Sequence, residues 1–418
     1  MSNRPFRFLH ASDFHLEQAP QGMAEVPEHL KEPLIESAYT AAQRVFETAL
    51  AEDVELVVLS GDILQPEQTG PRGPLFLAEQ FARLAERGIA VYWAGGSVDP
   101  PEAWPSAVPL PDNVHVFPRG RIEEVIHRHD GTPVARLLGT SRPGEPPIRN
   151  GEFAGDLDGL FSVAAVYGAA DAATLRSQGT DYWALGGRHD RATLLSGPQL
   201  AHYPGSPQGR RPEESGIHGC TLVYVDEQNQ ARTSLIPADA MRWLAERIAV
   251  DAATSREDLT TRLRERVHTL LEAAPKLDLL VTWMVVGSGP LMSELRRGNL
   301  TAELLAWLRD EYGRQRPAAW SLSLEMEHAA ALPPEWYEQE TIRGDFLRAI
   351  RQLELEPGEP LGLETYLAEK HLAGSFTSAV QPGDAAVRTS ASSAERQRVL
   401  REAALLGVDL LSGEEPQW

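Results

Sequence analysis

Phe6-Arg7-Phe8-Leu9-His10-Ala11, followed at once by Ser12-Asp13-Phe14-His15, is the stretch from which the fold is read. A short apolar run closed by Ser and Asp predicts a strand, and the polar residues after it fall at the strand's carboxyl end. Four more runs have this form: Val54–Ser60, Ile89–Ala94, Phe161–Val166 and Tyr182–Leu185. Between the first two, Leu34, Ile35, Ala38, Ala41, Ala42, Val45, Phe46 and Ala49 recur at helical spacing and predict a helix over Leu34–Ala51. Leu75–Arg87 repeats that pattern and stops at Gly88, a frequent helix terminator. Strands alternating with helices predict an α/β layered domain over residues 1–235.

The residues beyond the strand ends carry the chemistry. Ser12-Asp13-Phe14-His15 follows strand one, Ser60-Gly61-Asp62 follows strand two, and Gly186-Gly187-Arg188-His189 follows the last. Open α/β sheets bind ligands outside the carboxyl ends of their strands, so these loops are expected to converge. Two carboxylates and two imidazoles form an oxygen/nitrogen donor set suited to a divalent ion such as Mn²⁺, Fe²⁺ or Zn²⁺.

Charge narrows the function classes. The chain has 418 residues with 39 Lys and Arg against 60 Asp and Glu, a formal charge of −21. Coating nucleic acid requires a surplus of cations, so any DNA contact is expected in a local groove. Cys220 is the single cysteine, which excludes an intramolecular disulfide and points to a cytoplasmic setting. The longest apolar run, Leu279–Val286, is far short of the roughly 20 residues a bilayer span needs.

From Ile236 the pattern shifts. Ser255 and Asp258 are spaced as a capping box at the head of a helix, and a strand Leu277–Val286 follows. Helices over Leu291–Arg297 and Thr301–Tyr312 and a strand over Trp320–Met326 complete a small α/β unit, 236–330. Residues 331–418 read as mainly helical with a flexible link, Ala373–Ser393. They close on an apolar stripe, Val399, Leu400, Ala403, Leu406, Val408, Leu410 and Leu411, suited to self-packing or to a partner. His127-Arg128-His129-Asp130 has metal-like composition, but its spacing suits an exposed strand edge or turn.

Leu9–His15, Leu59–Asp62 and Tyr182–His189 together resemble the motifs of the calcineurin-like metallophosphoesterases. Tyr203-Pro204-Gly205-Ser206-Pro207-Gln208-Gly209-Arg210 narrows the resemblance to the SbcD-type DNA-repair exonucleases, including the bacterial YhaO-like branch. The resemblance covers residues 1–235 and continues more weakly into 236–330, which is similar to that family's capping domain. It implies a sandwich of two sheets flanked by helices, a small α/β cap and a helical C-terminal extension. It also implies phosphodiester hydrolysis by two metal ions, Mn²⁺ by preference, which stabilise the attacking and leaving oxygens. The implied partners are an SbcC-like SMC-type ATPase, DNA and a second copy of the chain.

Carried over residue by residue, the resemblance is uneven. Asp13, His15, the bridging Asp62 and His189 match every ligand of the first metal. In place of Gly-Asn-His-Asp stands Gly96-Ser97-Val98-Asp99, so Ser97 replaces a second-metal ligand and Val98 replaces the acid His. Tyr167 stands where a ligand His should follow a strand, and Gly187 replaces the first His of Gly-His-x-His. A general acid alone is worth roughly 10²–10⁴-fold, so the expected protein holds one ion and is catalytically impaired or silent. The alternatives are a non-catalytic scaffold of the ATPase complex and a one-metal phosphoesterase acting on a small molecule. Asp99, Asp190, Arg188 and His202 are candidates to stand in for the missing groups. Arg188 and Arg210 are the expected phosphate or DNA contacts.

Overall fold

A computed structural model gives the fold and describes residues 4–142, 148–149, 151, 153, 159–327, 332, 334–355 and 393–412. The predicted link, Ala373–Ser393, lies outside these residues except for Ser393. The chain divides into two compact units: Met1–Ala245 with Ala273–Thr282 and Gly313–Leu322, and Glu246–Glu272 with Trp283–Tyr312 and Ser323–Trp418.

The opening strand β1 (Phe6–Ala11) is buried at every position but Arg7, because both of its faces are covered along the rest of its length. Phe6 and Phe8 point into a core shared with Phe161, Val163 and Tyr182 of a second sheet. Leu9 and Ala11 point the other way, onto Ala42, Val45 and Phe46 of helix α1 (Glu28–Ala51). The period-2 alternation of a strand therefore sorts one short run between two cores.

The first sheet has the order β12-β11-β1-β2-β3-β4. Here β2 is Leu56–Ser60, β3 Ala90–Ala94 and β4 Val114–Val116, all parallel to β1. Strands β11 (Gly219–Val225) and β12 (Ala231–Pro237) extend it antiparallel. The second sheet has the order β5-β6-β7-β8-β10-β9. Its parallel centre is β6 (Thr132–Thr140), β7 (Phe161–Tyr167), β8 (Tyr182–Gly186) and β10 (Leu200–Tyr203). Its antiparallel edges are β5 (Glu123–His129) and β9 (Ala192–Leu195). Helices α1 and α3 (Arg72–Ala85) cover the first sheet, with the short α2 (Pro66–Thr69) leading into α3. The short α4 (Ala172–Arg176) packs its Leu175 with Trp183 and Leu185 against the second sheet's outer face. The expected two-sheet α/β sandwich flanked by helices is present.

Helix α1 begins six residues before the predicted Leu34 and runs through Pro33. A proline inside a helix normally ends it. Here Leu30 and Leu34 on either side of Pro33 pack with Met241, Trp243, Leu280 and Trp320, and this burial offsets the lost backbone bond.

A third sheet, β13-β14-β15, is formed by Met241–Val250, Asp278–Gly287 and Ala319–Met326, each strand being divided between the two units. In the second unit, α5 (Arg256–Ala273) starts at the expected capping box. The Ser255 N–H donates to Asp258 Oδ2 at 2.9 Å and the Asp258 N–H to Ser255 Oγ at 3.1 Å. Helices α6 (Pro290–Arg296) and α7 (Asn299–Glu311) follow α5, with α8 (Pro334–Tyr337), α9 (Ile342–Leu355) and α10 (Ser393–Ser412) after β15. The apolar stripe of α10 is split. Leu400 and Val408 are buried, Val408 packing with Leu347 of α9, while Val399, Leu406, Leu410 and Leu411 are exposed. Among the described residues no helix is long and apolar enough to cross a membrane.

Candidate metal centre

The loops after β1, β2 and β8 meet at the carboxyl ends of the two sheets. The first two are zipped by backbone bonds: the Asp13 N–H donates to Gly61 O at 2.9 Å and the His15 N–H to Asp62 O at 3.0 Å. Asp13, His15 and Asp62 have φ of 56°, 45° and 54°, the left-handed region that L side chains seldom adopt. Strain of this kind in three expected ligands marks a site whose side-chain directions are imposed by the surrounding structure.

Ligand atoms of Asp13, His15 and His189 lie within 4.8 Å of one another. Asp13 is fully buried, accepting from Ser12 Oγ at 2.5 Å and from the Gly187 N–H at 3.0–3.1 Å. Burial pushes its carboxyl pKa up, partly countered by the Ser12 hydroxyl. His15 Nδ1 is 3.1 Å from Glu17 Oε1, whose other oxygen accepts from the Gln65 N–H. His189 Nδ1 is 2.9 Å from Glu214 Oε1. Burial raises the Glu214 pKa, but the His189 bond, the Arg210 N–H and the Arg210 charge outweigh it and hold the carboxyl at about 2. The carboxylate behind Nδ1 fixes the His15 ring and directs its Nε2 forward, the arrangement typical of metal-binding histidines, whereas His189 also has Arg210 Nη2 3.1 Å from Nδ1 and 3.0 Å from Nε2.

The test of fit is His15 Nε2. It is buried, has no hydrogen-bond partner, and its nearest opposite charge is Asp62 Oδ2 at 3.6 Å, beyond bonding distance. An orphan lone pair beside Asp13 and His189 suits a divalent ion with mixed oxygen and nitrogen ligands, whereas Asp62, the fourth expected ligand, lies outside the group of donor atoms that come within 4.8 Å of one another.

The other half of the site is closed. Asp62 Oδ2 accepts from Tyr167 Oη at 2.8 Å, and both Asp62 oxygens accept from Ser97 Oγ at 2.9–3.0 Å. Oδ1 also accepts from the N–H groups of Ser97 and Val98, at 2.6 and 3.1 Å. Tyr167 and Ser97 thus satisfy the carboxylate that a second ion would share. The tyrosine ring lies on a floor of glycines. A Cβ at Gly61, Gly96 or Gly187 would come within 2.6, 2.7 or 3.0 Å of its ring carbons. Gly187 therefore provides the clearance that admits Tyr167.

The stand-in candidates fall elsewhere. Asp99 is buried and accepts from the N–H groups of Asp62, Ile63 and Gly96 and from Trp93 Nε1, so it braces the loops. Burial and the nearby Asp62 push its pKa up to about 7. His202 lies between the sheets, bonded to Thr193 and Thr221. Asp190 and Arg188 are exposed. Arg210 is buried, with Nη1 donating to Gln18 Oε1 at 2.8 Å and Nη2 3.0 Å from His189 Nε2. Its guanidinium is held by Gln18 and His189 within the site. The turn before it also serves His189, since the Ser206 N–H donates to His189 O at 2.9 Å.

Sequence reading did not single out Glu17, Glu214 or Ser12. The signal for Glu17 was its place two residues after His15; Glu214 lies far from His189 in sequence, and nothing local links them.

Fold and site together define a two-sheet α/β sandwich with one donor set, Asp13, His15 and His189, at the carboxyl ends of its strands. No protein-family profile matches the chain. It is 27% identical over 336 residues to the "Uncharacterized metallophosphoesterase YhaO" of Bacillus subtilis (strain 168), covering 77% of this chain and 81% of that one. Two solved structures of Vps29 from Entamoeba histolytica also align. A single mutant does so at 12% identity and a TM-score of 0.24, over 55% of this chain and 98% of that one. The wild type complexed with Zn²⁺ does so at 11% and 0.24, over 56% and 99%.

Proposed function

We propose that this chain is a one-ion member of the SbcD/YhaO-like metallophosphoesterase group, binding phosphodiesters at Asp13, His15, Asp62 and His189 and hydrolysing them poorly. Asp62 carries the reading: both oxygens of the carboxylate that two ions would share already accept from Ser97, and one of them also from Tyr167. A divalent ion, Mn²⁺ by resemblance, would supply Lewis-acid attraction for a phosphoryl oxygen. Arg210 would add a buried guanidinium beside the same anion. At the position of the acid, Val98 offers an aliphatic side chain, and its N–H is already committed to Asp62. No proton can pass from that position to a leaving group, which removes a contribution of roughly 10²–10⁴-fold.

Metal-dependent phosphoester chemistry is supported by the relative's designation as a metallophosphoesterase. The DNA-repair role, an SbcC-like ATPase partner and a cytoplasmic setting rest on the motif Tyr203–Arg210 and the single cysteine. The charge of −21 leaves DNA engagement to a local groove or to that ATPase. The test is Mn²⁺-dependent binding and hydrolysis of a model diester and of end-labelled DNA, with Asp62→Ala beside the wild type. The reading expects binding that Asp62→Ala abolishes and turnover within about tenfold of that variant. Rapid turnover that Asp62→Ala abolishes would overturn it.

A further inference from the structure

We propose that Arg210 couples ion binding to anion binding at the candidate metal centre: its buried guanidinium opposes an ion that enters alone and favours one that enters with a phosphate. The proposal rests on the one-ion reading above and names how that site is regulated. Asp13, Gln18, His189, Arg210 and Glu214 all belong to the first unit.

The guanidinium carries a charge that its direct side-chain contacts do not balance. The Arg210 side chain is 4% exposed. Nη1 donates to the Gln18 amide oxygen at 2.8 Å, and Nη2 lies 3.1 and 3.0 Å from Nδ1 and Nε2 of His189. Gln18 is uncharged, and His189 is neutral whenever it ligates an ion. Nε is buried with no hydrogen-bond partner, and Glu214 Oε2, 3.9 Å from it, is beyond bonding distance. A buried N–H left over on a group shaped to grip an oxyanion points to an anion. Until one is present, the charge is balanced at longer range by Glu214, Asp13 and Glu17.

The backbone keeps Arg210 in place. Its N–H donates to Glu214 Oε2 at 2.8 Å, and its carbonyl accepts from the Gln21 N–H at 2.7 Å. An ion that takes Nε2 of His189 therefore meets a guanidinium nitrogen 3.0 Å from that same atom. It also engages Asp13, one of the carboxylates whose charge balances Arg210. Like charges this close, out of water, repel far more strongly than at a surface. A phosphate shared between the ion and the free N–H groups of Arg210 offsets that repulsion. Ion and phosphate then strengthen each other by the same factor, because coupling between two ligands is reciprocal.

The test is calorimetric titration of the full chain with Mn²⁺, with and without inorganic phosphate. In Arg210→Met, Mn²⁺ alone should bind at least about fivefold more tightly than in the wild type. The further gain in Mn²⁺ affinity from phosphate should shrink by at least about fivefold. Gln18→Glu should act in the same direction, because it places a carboxylate on Nη1. Gln18 is exposed, so this variant carries the test where the buried substitution disturbs folding. Arg211→Met is the control. It removes the same charge from a side chain that is 54% exposed and donates to Glu214, and it should change Mn²⁺ affinity by less than about twofold. Absence of Mn²⁺ uptake by every chain would overturn the one-ion reading, and the coupling with it. Uptake that Arg210→Met and Gln18→Glu leave unchanged, or that Arg211→Met alters equally, would overturn the coupling alone.

Discussion

Gly187→Ala is the most informative single perturbation, because the structure separates its cost into two parts. Gly187 has φ of +92°, so any side chain there is strained by roughly 1–2 kcal/mol. The new methyl would also sit 3.0 Å from Cε2 and Cζ of Tyr167, tighter than ordinary packing, and overfilling of this kind costs about 1–3 kcal/mol. The whole should be about 2–5 kcal/mol. Tyr167→Ala removes the ring but not the backbone conformation, so only the first part survives in its background. A double-mutant cycle should therefore give a favourable coupling of about 1–3 kcal/mol between the two substitutions. The assay is urea unfolding of the four chains without metal, with midpoints and slopes compared. Costs that add to within about 0.5 kcal/mol would mean that Tyr167 does not fill the space the glycine leaves. The account of the closed second site would then fail.

Other outcomes follow from the same geometry. Arg210→Met should weaken inorganic phosphate binding about 10–150-fold, the value of a charged hydrogen bond, without weakening Mn²⁺ binding. Equal loss of both, by calorimetry, would make Arg210 a structural brace. His202 is fully buried and burial lowers its pKa to about 3, so between that value and its ordinary 6.5 the unfolded chain binds the extra proton. Its contribution to stability is complete above about pH 6.5 and is lost as pH falls below it, by about 2 kcal/mol between pH 7 and 5. His202→Gln should flatten the urea midpoint over that range; an unchanged pH dependence would refute the assignment.

The strands β1, β2, β3, β7 and β8 were legible because each is buried on both faces over most of its length and so reads as a mainly apolar run, with Arg7 and His10 in β1 and Ser162 in β7 among the polar exceptions. The edge strand β5, Glu123–His129, was visible only at its histidines, since an edge tolerates charge and hides its period. The start of α1 was hidden by Pro33, whose cost is offset by contacts with Trp243 and Trp320, distant in sequence. In the site, Asp13, His15, Asp62 and His189 could be read from their places after strands. What could not be read was the replacement. The sequence shows Ser97, Tyr167 and Gly187 together at the positions of the second ion's expected ligands, but not how they meet. In space they are one arrangement, with a hydroxyl and a phenol on Asp62 and a glycine making room for the ring.

Electron paramagnetic resonance of the purified chain titrated with Mn²⁺ tests the central claim most directly. The account predicts one tightly held ion per chain with the six-line spectrum of an isolated Mn²⁺, lost on Asp13→Ala. An exchange-coupled spectrum from two ions would show that Tyr167 and Ser97 do not close the second position, and would contradict it.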